Sequence, residues 1–234
     1  MFMKFKTKIV LYNSYFDANN NLSLKGVLGI FQDVASIHAE EIGVGYETML
    51  EKNLFWVISR IKIDIFKMPT INQTVVVETW PHEKVRAEFD RDLKILSESG
   101  EVLVVGTSKW CVINTKTRFL QRADDVVYNG EVYPQKNYAE KFEKIKLPTG
   151  QPVAKFSYTV LFSDLDHNGH MNNTNYANLV VSALDCKKFT HFQINFLSEC
   201  KLNDVILVSL IKDNSGEYVV GTVNSKPAFV TFVN

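Results

Sequence analysis

The first third of the chain alternates between two hydrophobic periods, that of a strand and that of a helix. Residues 5–15 alternate apolar and polar as a strand does. Ser23 can then cap a helix by accepting a hydrogen bond from a first-turn amide, and Gly43 is placed to end it. Between them, apolar residues at helical spacing are Leu24, Val27, Leu28, Phe31, Val34, Ala35 and His38.

This helix is apolar around much of its circumference, because Ile30 and Ile37 lie off the main stripe. That pattern predicts a helix surrounded by other structure. A short second helix is predicted at 46–52, followed by strands at 56–66, 74–80, 83–96 and 102–114. One long helix with a run of antiparallel strands indicates an α+β unit.

The composition changes between residues 121 and 152. Charged and polar residues dominate there, and the segment contains Pro134, Pro148 and Pro152. A loop of this length is unusual inside one compact domain and favours a boundary. We therefore predict a first domain at 1–125, a linker at 126–152 and a second domain at 153–234.

The second domain repeats the order of the first: a strand at 153–162, a polar loop, a helix at about 174–185 and further strands. Six positions of the first half, for example Ile61 and Val75, match apolar or Asn positions of the second half at a constant offset. Asp17 matches Asp164 at a different offset. Two copies indicate a duplicated domain, and a long helix with an antiparallel sheet, present twice, suggests a double hotdog fold.

Bulk composition excludes several classes of protein. The 234 residues carry 26 basic and 26 acidic side chains, so no nucleic-acid or anionic-membrane surface is expected. No run is long enough to span a bilayer, and the N-terminus has no signal-peptide core. Three scattered cysteines, Cys111, Cys186 and Cys200, are typical of reduced thiols in a cytoplasmic protein.

Residues 163–173 form the most unusual stretch, with two Asp, three Asn and two His between two apolar runs. A polar loop held between buried elements often carries a functional site. The simplest alternative is a solvated turn, because Asn, Asp and Gly are turn formers. Asn172, Asn173 or Thr174 is also able to cap the following helix.

Part of this loop has the spacing of a calcium-binding loop. Asp164, Asp166, Asn168 and Gly169 fit the first six positions of an EF-hand. The pattern then fails, because position twelve is Asn175 where a bidentate Glu is required, and the preceding segment is strand-like. We therefore predict no metal site.

Acyl transfer or hydrolysis is the third interpretation. Such chemistry needs a group that activates a nucleophile, and donors for a developing oxyanion. Asp166 or His170 could act as base or orienter, and Asn168 could hold a water or the substrate carbonyl. The start of the next helix offers unpaired amides and the positive end of its dipole. The predicted oxyanion donors are the amides of Met171, Asn172 and Asn173.

Glu199 and Cys200 form a second candidate element. The repeat places them opposite Met68 and Pro69, so the second copy gains a carboxylate and a thiol. The simple alternative is an exposed Glu at a strand end beside a buried Cys, since free cysteines are commonly buried.

Residues 163–176, followed by Ser198-Glu199-Cys200, resemble the acyl-acyl-carrier-protein (acyl-ACP) thioesterases, which release fatty acids from acyl carrier protein in plastids and in bacteria. Segments 31–35, 56–60 and 79–81 are similar to the N-terminal repeat of that family, so the resemblance covers nearly the whole chain. The N-terminus, without a transit peptide, resembles the bacterial form.

The resemblance implies two hotdog repeats, a fatty acyl thioester of acyl carrier protein as substrate, and no cofactor. It places the acyl-chain pocket in the first repeat, beside the long helix. The implied catalytic residues are Asp166, Asn168, His170, Glu199 and Cys200. The implied pocket residues are Leu28, Phe31, Val34, Ala35, His38 and Trp56. A monomer and a homodimer are both compatible with a duplicated hotdog.

Two mechanisms fit these residues. In one, Cys200 is a thiolate nucleophile with His170 as its base and Asn168 as orienter. In the other, Glu199 or Asp166 activates a water. Neighbouring side chains of a regular strand point to opposite faces, so Glu199 and Cys200 cannot both reach one site without a bulge. We favour water attack with Glu199. Hydrolysis of acyl-coenzyme A and a non-hydrolytic, acyl-binding or dehydratase-like role are the alternative functions.

Overall fold

The computed structural model describes residues 3–234, apart from the side chain of Ala123, and contains two compact units. The first unit extends to Lys141, and the second is Phe142–Asn234. The division between them falls inside the segment 126–152. Within residues 3–234, no helix combines the length and the apolar character needed to cross a bilayer.

The first unit is an antiparallel sheet with one long helix packed on it. Its helices are α1 (Leu24–Glu41) and the short α2 (Tyr46–Glu51). Its strands are β1 (Phe5–Val10), β2 (Leu54–Ile65), β3 (Thr74–Pro81), β4 (Phe89–Ser97) and β5 (Val102–Asn114). They lie in the order β1-β3-β4-β5-β2, and α1 packs on β3.

Local chemistry sets both ends of α1. The Ser23 hydroxyl accepts a 2.9 Å hydrogen bond from the Gly26 amide, as the sequence predicted. Gly43 follows the last turn with a φ of 76°, a left-handed conformation that favours glycine. Phe31 on α1 sits directly over Gly106 of β5, where an added Cβ would lie 2.6 Å from the Phe31 ring. Glycine at this position therefore lets the helix approach the sheet closely.

The second unit has the same plan. Its single α-helix, α3 (Tyr176–Ala183), follows a 3-10 turn, Asn173–Asn175. Its strands are β6 (Val153–Thr159), β7 (His191–Phe196), β8 (Val205–Asp213), β9 (Gly216–Val223) and β10 (Lys226–Val233). They lie in the order β6-β8-β9-β10-β7, and α3 packs on β8.

The two units therefore share one topology, because in both the second strand pairs with the fifth and the helix packs on the third. The α+β class and the double hotdog are confirmed. Most of the apolar positions matched between the halves are buried in both, as for Val75 and Ile206, each 0% exposed.

Several predicted boundaries were wrong for local reasons. The first strand ends at Val10, because a 3-10 turn at Asn13–Tyr15 replaces its predicted end. The strand predicted from residue 83 begins at Phe89, since Val85 and Glu88 pair across a turn. The helix predicted at about 174–185 is confined to Tyr176–Ala183, because a 3-10 turn at Asn173–Asn175 replaces its predicted start.

Candidate active site

The loop at 163–173 is held in a tight turn around Asp166. Its Oδ1 accepts hydrogen bonds from the amides of Asn168 at 2.8 Å and His170 at 3.4 Å. The Asp166 amide donates to the His170 carbonyl at 2.8 Å. Gly169 takes a φ of 77°, which closes the turn. These bonds bring the His170 backbone back beside Asp166.

The first unit contains the same turn. Asp17 Oδ1 accepts from the amides of Asn19 and Asn21, both at 2.9 Å. The structural counterpart of Asp17 is thus Asp166, and the alignment of Asp17 with Asp164 was wrong. The strand ends agree with this, because β1 ends at Val10 and β6 at Thr159, each the same number of residues before its Asp. The repeated bonds show that the Asp166 carboxylate shapes the loop.

Asp164 anchors the start of the loop. Its Oδ2 accepts from the Tyr158 hydroxyl and the Leu161 amide, both at 2.8 Å. Its carbonyl accepts from the Asn172 amide at 2.8 Å and from Asn175 Nδ2 at 3.0 Å. The carboxylate is therefore committed to folding the loop.

The segment after β7 meets this loop. Residues 197–200 lie beyond the end of β7 and are not in a strand, and backbone pairing joins this segment to the loop. The Met171 amide donates to the Cys200 carbonyl at 2.8 Å, and His170 forms an isolated bridge with Lys201. This pairing carries Glu199 to the side of His170.

His170 and Glu199 form the central pair of the site. His170 Nε2 lies 3.1 Å from Glu199 Oε2, and the two side chains are 17% and 32% exposed. Both are thus partly sheltered and still open to water. A carboxylate that accepts from one ring nitrogen orients the imidazole, and a partly exposed carboxylate can act as a base toward a water.

Cys200 points away from this pair. It is 0% exposed, and its thiol is hydrogen-bonded to the Tyr176 side chain. Burial raises the pKa of Cys200, with a smaller contribution from Asp204, although the Tyr176 bond acts in the opposite direction. Burial also raises the pKa of Tyr176. Adjacent residues 199 and 200 therefore face opposite sides, even though they are not in a strand.

The predicted oxyanion donors do not all have a free amide. The Met171 amide bonds the Cys200 carbonyl, and the Asn172 amide bonds the Asp164 carbonyl. These two predictions are corrected, because loop closure uses both donors. Asn172 instead caps the 3-10 turn through Oδ1, which accepts from the Thr174 amide at 2.9 Å. The Asn173 amide stays a prediction, as does the exposed Asn168 side chain.

The first unit contains a cavity of about 70 Å³ between α1 and the sheet. Two of the six predicted pocket residues, Ala35 and Trp56, line it. The other four do not line this cavity and are buried in the core: Leu28, Phe31, Val34 and His38, at 6%, 2%, 1% and 2% exposed.

Sequence reasoning missed several residues around this cavity. Arg91 was not singled out because it lies in a strand where charged and apolar residues are mixed. A signal was present, because Arg91 alternates with Phe89 and Leu93 on the buried face of β4. Other lining residues not predicted include Phe89, Trp110 and Tyr128.

Comparison with known proteins adds the family. Residues 3–130 match the model of the acyl-ACP thioesterase N-terminal domain, and residues 150–222 match the model of its C-terminal domain. The chain belongs to the acyl-ACP thioesterase family. The match covers both units, and the His170–Glu199 pair lies between residues 150 and 222, in the part that matches the C-terminal domain.

Relatives of the chain include plant proteins that are named as acyl-ACP thioesterases or hydrolases. The chain is 28% identical over 227 residues to oleoyl-acyl carrier protein thioesterase 1 of Arabidopsis thaliana, covering 87% of this chain and 62% of the relative. It is 29% identical to dodecanoyl-[acyl-carrier-protein] hydrolase of Cinnamomum camphora, covering 88% of this chain and 58% of the relative. The chain thus spans less than two thirds of these relatives.

Solved family structures share the fold over the full chain. An acyl-ACP thioesterase from Bacteroides thetaiotaomicron superposes with a TM-score of 0.84 at 24% identity, covering 99% of this chain and 97% of that one. The 12:0-ACP thioesterase from Umbellularia californica gives 0.81 at 22% identity, covering 100% and 97%. These likenesses support the double hotdog fold.

Proposed function

We propose that the protein hydrolyses fatty acyl-ACP thioesters, releasing the fatty acid and acyl carrier protein. The observation that carries the proposal is the 3.1 Å contact between His170 and Glu199 in a chain of this family. A base held by an imidazole and open to water is what thioester hydrolysis requires. No cofactor is needed for this reaction.

In the proposed mechanism, Glu199 takes a proton from a water, whose oxygen attacks the thioester carbonyl carbon. His170 holds the carboxylate through its Oε2 and orients it. A C–O bond forms, the C–S bond breaks, and the proton reaches the departing thiolate sulfur. The pair therefore accepts one proton from the water and delivers it to the leaving sulfur, which returns Glu199 to its starting state.

The Cys200 nucleophile is the less favoured mechanism. A covalent mechanism needs a thiolate that the substrate can reach. Cys200 is fully buried, and burial raises the pKa of its thiol, which disfavours the thiolate. We propose that Cys200 supports the loop through its carbonyl and its bond to Tyr176.

The test of the function is thiol release from purified acyl-ACP substrates. We expect release well above background, with rates that depend on acyl length. Parallel assays with the matching acyl-coenzyme A esters separate the two carriers, and higher specificity for coenzyme A would favour the alternative substrate. Absence of release from both carriers would contradict hydrolysis and favour a binding role.

Replacing Cys200 by alanine is expected to lower kcat by less than about tenfold, since loss of a true nucleophile costs on the order of 10⁶-fold. The measurement is kcat for an acyl-ACP, with Cys186→Ala, an exposed cysteine, as the control. Iodoacetamide should modify Cys186 and leave activity intact. Abolished turnover in a folded Cys200→Ala protein would restore the covalent mechanism.

Replacing Asp166 by alanine is expected to lower kcat by about 10- to 100-fold, because the loop that presents His170 loses two hydrogen bonds. Asp166→Asn should recover most of the activity, since its amide oxygen can accept the same bonds. Asp17→Ala removes the matching turn in the first unit and serves as the control. An asparagine variant as inactive as the alanine variant would show that the charge of Asp166 takes part in catalysis.

The remaining assignments belong to the same proposal. The partner is acyl carrier protein, the compartment is the cytoplasm, and the protein acts as a monomer or homodimer without nucleic-acid or membrane partners. The first repeat, at 1–125, would hold the acyl chain and the second, at 153–234, would carry the catalysis. Three free cysteines support a reducing compartment.

A further inference from the structure

Arg91 is a buried cation of the first unit without an acidic partner. It is 8% exposed and faces the inside of the unit from β4. Its strand neighbours Asp90 and Asp92 are engaged elsewhere, with Lys109 at 2.7 Å and His82 at 2.9 Å. Among residues 3–234, no carboxylate forms an ion pair with Arg91. A buried charge without a counter-charge lowers the stability of the fold unless other groups compensate for its lost hydration.

The protein uses only part of the guanidinium. Nη1 donates to Thr79 Oγ1 at 3.2 Å and lies 3.0 Å from His38 Nδ1. Burial lowers the pKa of His38 to about 3, with the Arg91 charge adding to the effect, so the imidazole is neutral at pH 7 and Nδ1 can accept. Within the described chain, Nε and Nη2 of Arg91 donate to no protein atom.

Arg91 lines the cavity between α1 and the sheet. Two small residues one turn apart on α1, Ala35 and Ala39, also line it. The volume, about 70 Å³, is roughly half of the ~150 Å³ of an engineered cavity that binds benzene. It therefore suits a group of a few heavy atoms. The aromatic lining is Trp56, Phe89, Trp110 and Tyr128. Asp90 also lines the cavity, with its charge paired to Lys109 at 2.7 Å.

We propose that this cavity binds the end of a short apolar chain that carries an oxygen acceptor, and that Arg91 donates to that oxygen. Aromatic walls suit the apolar part, and Nε with Nη2 presents the paired donors that a carboxylate or hydroxyl oxygen accepts. Two sources have this chemistry: the acyl group of an oxygenated thioester substrate, and the carboxylate of a released fatty acid. Only this choice of sources rests on the proposed thioesterase function.

Direct binding tests the site without turnover. Octanoate, octan-1-ol and octylamine share a chain and differ in whether the head accepts a hydrogen bond. Calorimetry on the full-length protein should show octanoate binding at least about tenfold tighter than octylamine, the size of one charge-assisted hydrogen bond. Equal binding of the three compounds, or no binding of octanoate, would overturn the inference.

Substitutions test whether Arg91 is responsible for the preference for octanoate over octylamine. Arg91→Met should weaken octanoate binding by about tenfold or more and leave octylamine unchanged. Ala39→Leu, which fills the cavity and keeps the cation, should weaken all three compounds. Arg60→Met is the matched control, because Arg60 is 5% exposed in the same unit and does not line the cavity. An equal loss in Arg60→Met would contradict a specific role for Arg91.

Kinetics separates the two sources. If the substrate is oxygenated, Arg91→Met should lower the ratio of kcat/KM for 8-hydroxyoctanoyl-ACP over octanoyl-ACP by about tenfold. If the ligand is the product, the inhibition constant of octanoate should rise about tenfold instead. Hydrolysis without head-group discrimination would overturn this inference alone. Discrimination without hydrolysis would overturn only the proposed function.

Discussion

Replacing Glu199 by glutamine is expected to lower kcat for acyl-ACP hydrolysis by about 10²- to 10⁴-fold, the usual contribution of a general base. The amide keeps the shape of the side chain but cannot take the proton of the attacking water. KM should change little, because no binding group is removed. The measurement is steady-state hydrolysis of one acyl-ACP by the folded variant.

Two further variants make this test specific. His170→Asn should also lower kcat strongly, since the Glu199 carboxylate loses the ring nitrogen 3.1 Å away. Glu217→Gln is the matched control, because Glu217 belongs to the same unit but pairs with Lys187 and Lys212. Near-normal kcat in Glu199→Gln, together with inactive Cys200→Ala, would replace water attack by the covalent mechanism.

Replacing Phe31 by alanine is expected to lower the free energy of unfolding by about 3–5 kcal/mol, the range for deleting a buried phenylalanine. Phe31 is 2% exposed and fills the contact between α1 and Gly106. Because Gly106 has no side chain, removing the Phe31 ring leaves a void that the neighbouring backbone cannot fill. Urea unfolding followed by circular dichroism gives the change.

The same helix supplies the control. Ile37 is 49% exposed, so Ile37→Ala should stay within about 0.5 kcal/mol of the wild type. A loss below about 1 kcal/mol in Phe31→Ala would mean that its side chain is not a core residue. In that case the sequence-based assignment of Phe31 to the acyl pocket would be favoured again.

Hydrophobic periodicity predicted most of the fold. The strands at 74–80 and 102–114 and the cap at Ser23 lie where the pattern placed them, give or take a residue. Periodicity is a local property, so it reports which face of an element is buried. It failed at turns such as that before β4, where charged residues alternate as they do in a strand.

The catalytic candidates were also named from sequence, but their roles were not. Asp164 and Asp166 look alike along the chain, yet one anchors the loop start and the other shapes the turn. Met171 and Asn172 were predicted as donors because helix starts have free amides, and loop closure uses both. Roles of this kind depend on hydrogen bonds that composition does not report.

The sequence by itself determined the duplicated hotdog plan, the family, and the short loop that carries most of the candidate catalytic residues. These depend on periodicity and on residue order, which are readable along the chain. Only the tertiary structure decided that Glu199 meets His170, that Cys200 turns inward to Tyr176, and that Arg91 faces a cavity. The physical reason is that side-chain direction at a loop or on a mixed strand depends on contacts with residues distant in sequence.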